Sequence, residues 1–194
     1  MSDTLEIGKL LTQPALARPD LLAEPVLGAL RTWTITEVPV EEVRVGEIDP
    51  ELADTAAFCA AYDIPLEISA NCVIIAGRRG GETRYAAALV LATTRADVNG
   101  VIRRRLDARK ASFAPMDTAV AETGMEYGGI TAFGLPDGWP ILVDARVAET
   151  EIAVVGSGLR RSKLFVSGRA LAALPQATVV PDLASPAPAG TTPN

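Results

Sequence analysis

The chain contains no histidine, so it has no Ser-His-Asp or Cys-His pair, no imidazole base and no imidazole metal ligand. Chemistry falls to carboxylates, hydroxyls, thiols, amides and the substrate itself. Gly128 and Gly129 stand side by side. Lacking Cβ atoms, they let the backbone approach a ligand closely and aim N–H groups at a carbonyl or phosphate oxygen; the same pair also makes an ordinary tight turn. Thr131 offers a hydroxyl to an ester or amino group, or to its own backbone. Asp144 closes the apolar run Ile141-Leu142-Val143, where a carboxylate reaches the mouth of a sheet or caps a following helix. Ser157-Gly158 ends another predicted strand, followed by Arg160, Arg161 and Lys163, a cationic group suited to RNA phosphate or to a solvated loop. Arg103, Arg104 and Arg105, with Arg109 and Lys110 beyond them, form a second basic cluster with the same two readings. Of the two cysteines, Cys59 and Cys72, neither sits in a CxxC and two thiolates are half a zinc set, so no metal or cofactor is expected. Cys72 as a nucleophile lacks a base to activate it, and a strand cysteine is also a small buried apolar group.

The elements that must hold these residues follow from pattern. Leu21, Leu22, Val26, Leu27 and Leu30 recur at helical spacing and predict a helical extension over 1–37. An edge strand is expected near 43–48, and a helix from Asp49-Pro50 to Tyr62. Asn71 to Ala76, a glycine-rich turn over 77–81 and a return strand over 84–93 read as a central hairpin. Asp97 and Asn99 open a helix carrying the arginine run, and 115–124 forms another. Short strands at 141–143, 152–155 and 164–166 precede a helix at 169–174 and a closing strand at 177–180. The segment 181–194, rich in Pro, Ala, Ser and Thr, is expected to be a disordered tail.

With 194 residues, 48% of them hydrophobic, one domain with extensions is expected. The longest apolar runs fall far short of the roughly 20 residues a membrane span needs. The first residues carry acids where a signal peptide carries bases; a cytoplasmic protein with no membrane association is expected. The net charge of −6 opposes nucleic-acid binding over the whole surface and leaves room for a local basic patch.

From Thr123 the chain reads Thr-Gly-Met-Glu-Tyr-Gly-Gly-Ile-Thr-Ala-Phe-Gly-Leu-Pro, then Trp139-Pro140-Ile141-Leu142-Val143-Asp144, then Val155-Gly156-Ser157-Gly158-Leu159-Arg160-Arg161. This succession resembles the YbaK-like aminoacyl-tRNA deacylase family, related to the editing domain inserted in bacterial prolyl-tRNA synthetases. The resemblance implies an α+β fold with a mixed, partly barrel-like central β-sheet flanked by helices, placed over 38–180. It implies a trans-acting deacylase that hydrolyses the ester of a mischarged tRNA. Its partners would be the aminoacylated 3′ end of tRNA and a synthetase, with self-association as a homodimer left open. Asn71, Gly129, Thr131 and Asp144 would act on the ester and the terminal ribose. Cys72, Gly128, Ile130, Ala132, Ser157 and Gly158 would line the substrate pocket, and the two basic groups would hold tRNA. Two positions depart from the family: Asn71, with Cys72 next to it, stands where a lysine begins the strand, and Ala132 stands where the loop usually has proline. A neutral amide cannot supply an ammonium's charge. The competing reading is therefore an altered or inactive pocket that binds an aminoacyl-tRNA end or a small amino-acid or nucleotide ligand. A third is a partner-binding role of the N-terminal helix.

Overall fold

The computed structural model describes residues 4–187. The hairpin that dominates it is written in the sequence. β4 (Ala70–Arg79) and β5 (Glu82–Leu91) pair antiparallel without a break from Ala70↔Leu91 to Arg79↔Glu82. Gly80 and Gly81, at φ of +59° and +89°, supply the two left-handed residues that a two-residue turn of matching twist requires. Around this hairpin runs a mixed sheet in the order β11 (Ala177–Val180), β8 (Ile141–Asp144), β5, β4, β7 (Lys110–Phe113), with β8 parallel to both β5 and β11.

A second five-stranded sheet runs β1 (Leu5–Ile7), β2 (Leu10–Pro14), β3 (Arg44–Glu47), β10 (Ser162–Val166), β9 (Ala153–Gly156). One bridge, Ser69↔Val154, joins the two. The short pair β6 (Thr94–Ala96) and β12 (Ala184–Pro186) stands apart. The mixed α+β class is as expected; the sheets are open rather than closed into a barrel.

Period-two alternation divides the hairpin's side chains between two cores. Cys72, Leu89, Ile141 and Val143 face the main core, shared with Val45, Val155 and Leu164 of the other sheet. Val26, Leu27 and Leu30 of α1 (Glu24–Arg31) and Leu171 of α6 (Gly168–Ala172) complete it. Val73, Ile75, Ala88, Val90 and Leu142 face a second core, closed by Ile102, Leu106 and Leu183. The outer face of the β1–β9 sheet buries Val154 and Phe165 under Phe58 and Cys59 of α2 (Thr55–Tyr62). Local capping fixes where helices start: Asp54 accepts from Ala56 N at 3.1 Å, and Asp97 accepts from Gly100 N and Val101 N at 2.9 Å each. The turn that Asp97 opens is a π-helix over Val98–Ile102, continued by α3 (Arg103–Arg105).

Three expectations change. The N-terminal extension is not helical throughout: β1 and β2 precede α1, β2 pairs with β3, and Val26 and Leu30 are buried in the main core. Removing it would strip a strand from its sheet. The tail does not begin at Pro181, because Leu183 is fully buried, β12 pairs with β6 and Asp97 N donates to Leu183 O; the rest of that expectation lies outside the described residues. The arginine helix is short, and the stretch between it and α4, to which the sequence assigned no element, is the strand β7.

Candidate active site

The loop over 124–135 starts where α4 (Met116–Thr123) ends, at Gly124 with φ +66°. It is fastened to the loop after β9 by paired backbone bonds: Glu126 N donates to Gly158 O and Gly158 N donates to Gly129 O, each at 2.8 Å. Glu126 also accepts from Arg160 N at 2.6 Å. Gly129 is a glycine for packing: a Cβ there would lie 2.7 Å from the Leu159 carbonyl. Its N–H donates to Glu126 O at 2.9 Å, so it is not the amide aimed at a ligand. The neighbouring amides of Gly128, at φ +83°, and Ile130 form no hydrogen bond among the described residues.

Ile130, Cys72, Leu135, Tyr85 and Trp139 form a half-buried apolar shelf packed over Ile74, Ala87 and Ala119. Tyr85 and Trp139 stack with centroids 5.0 Å apart. Next to Ile130, Thr131 is fully buried, its N–H reaching only Met125 Sδ at 3.5 Å. Its Oγ1 is the one buried side-chain polar atom without a hydrogen-bond partner among the described residues. Such an orphan costs about 1–3 kcal/mol and calls for a reason. Ala132 is buried in the main core, and the following Phe133 stacks on Trp33.

Asn71 and Asp144 lie elsewhere. Asn71 pairs with Val90, and continuing the β5–β8 register sets Asp144 level with Val90. The two residues thus share a row about 10 Å apart, on the face of the second core and opposite to the Gly128–Thr131 loop. Asn71 Oδ1 accepts from Thr55 Oγ1 at 2.8 Å, tying β4 to the first turn of α2. Asp144 is fully buried and caps α5 (Ala145–Ala148): Oδ1 accepts from Arg146 N, and Oδ2 from Ala184 N, at 3.0 Å each. The capping role is present. Asp144→Ala orphans the Ala184 amide and removes the cap, so thermal melting should show a loss of about 2 kcal/mol, with β12 released first in hydrogen exchange.

Ser157 and Gly158 also serve structure. Ser157 Oγ sits 2.7 Å from Ser162 Oγ and accepts from Leu159 N; a Cβ on Gly158 would overlap Ala23 of the α1 approach. The cationic group beyond them is a set of internal staples. Arg160 donates to Tyr127 O and Pro50 O, Arg161 to Asp20 O, and Lys163 to Ala53 O at 3.0 Å. Lys163 is buried beneath α2, 5.4 Å from the Phe58 centroid, and burial pushes its ammonium down to about 8. Lys163 thus presents no free head to a phosphate, while Arg161 stays exposed with one guanidinium nitrogen engaged. Arg104 and Arg105 are exposed as expected, while Arg103 Nε donates to Asn99 O.

Burial also pushes the Cys72 thiol up to about 12, which removes the thiolate that nucleophilic attack needs. A hollow of about 570 Å³ that sequence patterns did not mark lies on the other side of the loop, lined by Leu22, Ala23, Met125, Glu126, Leu159 and Arg161 among others. Among the described residues no group of acids and cysteines is arranged to hold a metal, and no helix is long and apolar enough to cross a membrane.

Residues 49–174 match the family model described as "Aminoacyl-tRNA editing domain". The chain belongs to this family. The editing-domain fold is shared with solved structures at low identity. A structure described as a "putative trans-editing enzyme for prolyl tRNA synthetase" superposes with a TM-score of 0.68 at 20% identity, covering 82% of this chain and 94% of that one. A scaffold protein from computational epitope grafting gives 0.68 at 21%, covering 82% and 95%. The hypothetical protein APE2540 gives 0.65 at 18%, covering 74% and 91%. No curated protein sequence matches the chain. The editing-domain match spans α2, the hairpin, the glycine loop and β8 to α6, and so includes the stretches from Thr123 to Arg161 on which the resemblance rested.

Proposed function

We propose that this editing-domain protein hydrolyses the ester linking an amino acid to the 3′ end of a mischarged tRNA, acting in trans in the cytoplasm. The observation that carries the reading is the buried, unpartnered Thr131 hydroxyl, next in the chain to Ile130 of the apolar shelf. An aminoacyl ester is an activated bond, so positioning and a few donors at the developing oxyanion supply much of the acceleration. The Gly128 and Ile130 amides and the Thr131 hydroxyl are the donors for the ester oxygen. The shelf of Cys72, Ile130 and Leu135 seats a small apolar side chain. With no histidine and a protonated Cys72, attack falls to water or to the substrate's own terminal hydroxyl.

Thr131→Val tests this directly, because it keeps the shape and deletes the orphan hydroxyl. Across a panel of misacylated tRNAs the wild type should release at least one amino acid. The variant should do so about tenfold more slowly while melting no lower, since a buried unsatisfied group is gone. Binding of an uncleavable aminoacyl-tRNA mimic with no release from any true ester would replace the enzyme by the ligand-binding reading. Equal rates in variant and wild type would remove Thr131 from the site.

A further inference from the structure

The fold gathers cations that the sequence keeps far apart. The hairpin end of β4 and β5 carries Arg78, Arg79 and Arg84; β7 lies against it in the register Arg78↔Lys110, and Arg109 N donates to Arg78 O. Ala108 N donates to Arg103 O, which brings α3 and its three arginines to the same end of the sheet. Eight of the chain's 18 lysines and arginines meet here, with Glu82 and Asp107 among them, on a protein whose net charge is −6. Arg79 pairs with Asp107, and Arg84 lies 3.6 Å from Glu82. Arg78, Arg104, Arg105, Arg109 and Lys110 are exposed and form no ion pair among the described residues. Arg78, Arg79, Arg109 and Lys110 line a concavity of about 260 Å³ beside the turn.

We infer that this end of the sheet is a docking surface for the phosphodiester backbone of an RNA duplex. Seven of the eight cations are arginines, whose planar forks grip phosphate oxygens in pairs. The hairpin tip, Gly80-Gly81-Glu82-Thr83, offers no apolar side chain for insertion into a bilayer, which sets an anionic membrane aside. Position adds to the argument. Six residues of β4 separate Cys72 on the shelf from Arg78, about 20 Å at strand rise, or about six phosphate steps along one strand. A strand with its aminoacylated end on the shelf thus lays its duplex phosphates on the arginines. The identity of the polyanion rests on the proposed editing function; the surface itself rests on geometry and charge. It also separates the basic residues by role: Arg160, Arg161 and Lys163 all donate to backbone carbonyls, whereas of the eight here only Arg79 and Arg103 do so among the described residues.

Anisotropy titrations of labelled, deacylated tRNA over a range of salt test the inference without requiring hydrolysis. Binding should weaken linearly in log salt, and Arg78→Gln/Arg109→Gln should lower the slope by about 1.5–2 and the affinity at low salt about tenfold. Arg104→Gln/Arg105→Gln, on a separate element, should do the same, so a folding defect in the hairpin variant does not decide the matter. Arg160→Gln should leave the slope unchanged. Slopes unaltered in both double variants, or binding to anionic vesicles with none to tRNA, would overturn the surface. Hydrolysis that proceeds with unaltered slopes would overturn the surface and leave the editing reading standing; slopes that fall as expected with no ester cleaved would do the reverse.

Discussion

Gly156→Ala should lower stability by about 3 kcal/mol, a fall in melting temperature of roughly 6–12 °C for a domain of this size. Gly156 ends β9 opposite Lys163, and a Cβ there would overlap the Gly129 carbonyl oxygen and lie 2.7 Å from that of Ile130. These are backbone atoms, so no rotamer change relieves the overlap; the 124–135 loop must lift off the β9 loop. The Gly158 N to Gly129 O bond would lengthen with it, and the Gly128 and Ile130 amides would lose their placement. Ester hydrolysis should therefore fall further than the melting temperature alone accounts for at a temperature where the variant is folded. Gly28→Ala is the control. It lies in α1 with nothing within 4 Å of a new Cβ, where alanine is favoured by up to about 1 kcal/mol. A drop of only a degree or two for Gly156→Ala would show that the loops are not joined as described.

That prediction also marks what the sequence could convey. Gly128-Gly129 was legible as a place where backbone comes close to something. Which partner it approaches was not, because Leu159 lies thirty residues on and only the interlock of two loops brings it there. The hairpin was legible to its turn, since Gly80-Gly81 between two apolar runs is a local signal. The facing of its side chains was hidden: Cys72, Val73, Ile74, Ile75 and Ala76 are all apolar because both faces are covered, so alternation left no mark of which side carries the site. Asn71 and Cys72 were one residue apart in the reading and lie on opposite faces in the fold. The N-terminal strands left a faint trace, with Leu10 and Thr12 buried around an exposed Leu11, too short to compete with the helical spacing that follows. Charge type alone said nothing of use: Arg160 and Arg161 are staples, while Arg78 and Arg109 are open. The family resemblance supplied the order of elements, which a single chain's periodicity does not.

Lys163→Met should stabilise the protein at neutral pH by about 2 kcal/mol, with a pH dependence that identifies the cause. The ammonium is buried among Phe58, Cys59 and Ala53, with one carbonyl as hydrogen-bond acceptor and no ion-pair partner among the described residues. Desolvation lowers its pKa from 10.5 to about 8. At pH 7 the amine is charged in both folded and unfolded chains, and the whole cost of burying the charge is present. Between about 8 and 10.5 the unfolded chain binds more protons than the folded one, so wild-type stability rises with pH through that window. The shift corresponds to about 3 kcal/mol, reduced by about 1 kcal/mol for the Ala53 carbonyl that methionine leaves without its donor. Paired melting curves should thus show Lys163→Met well above wild type at pH 7 and the two converging as pH rises through the window. Hydrolysis should be unchanged, because the amine faces α2 and not the shelf of Cys72 and Ile130. A gain that stays constant with pH would mean that packing, not charge burial, sets the difference. A loss at pH 7 would mean that the Ala53 bond and the Phe58 ring hold the ammonium more firmly than its desolvation opposes.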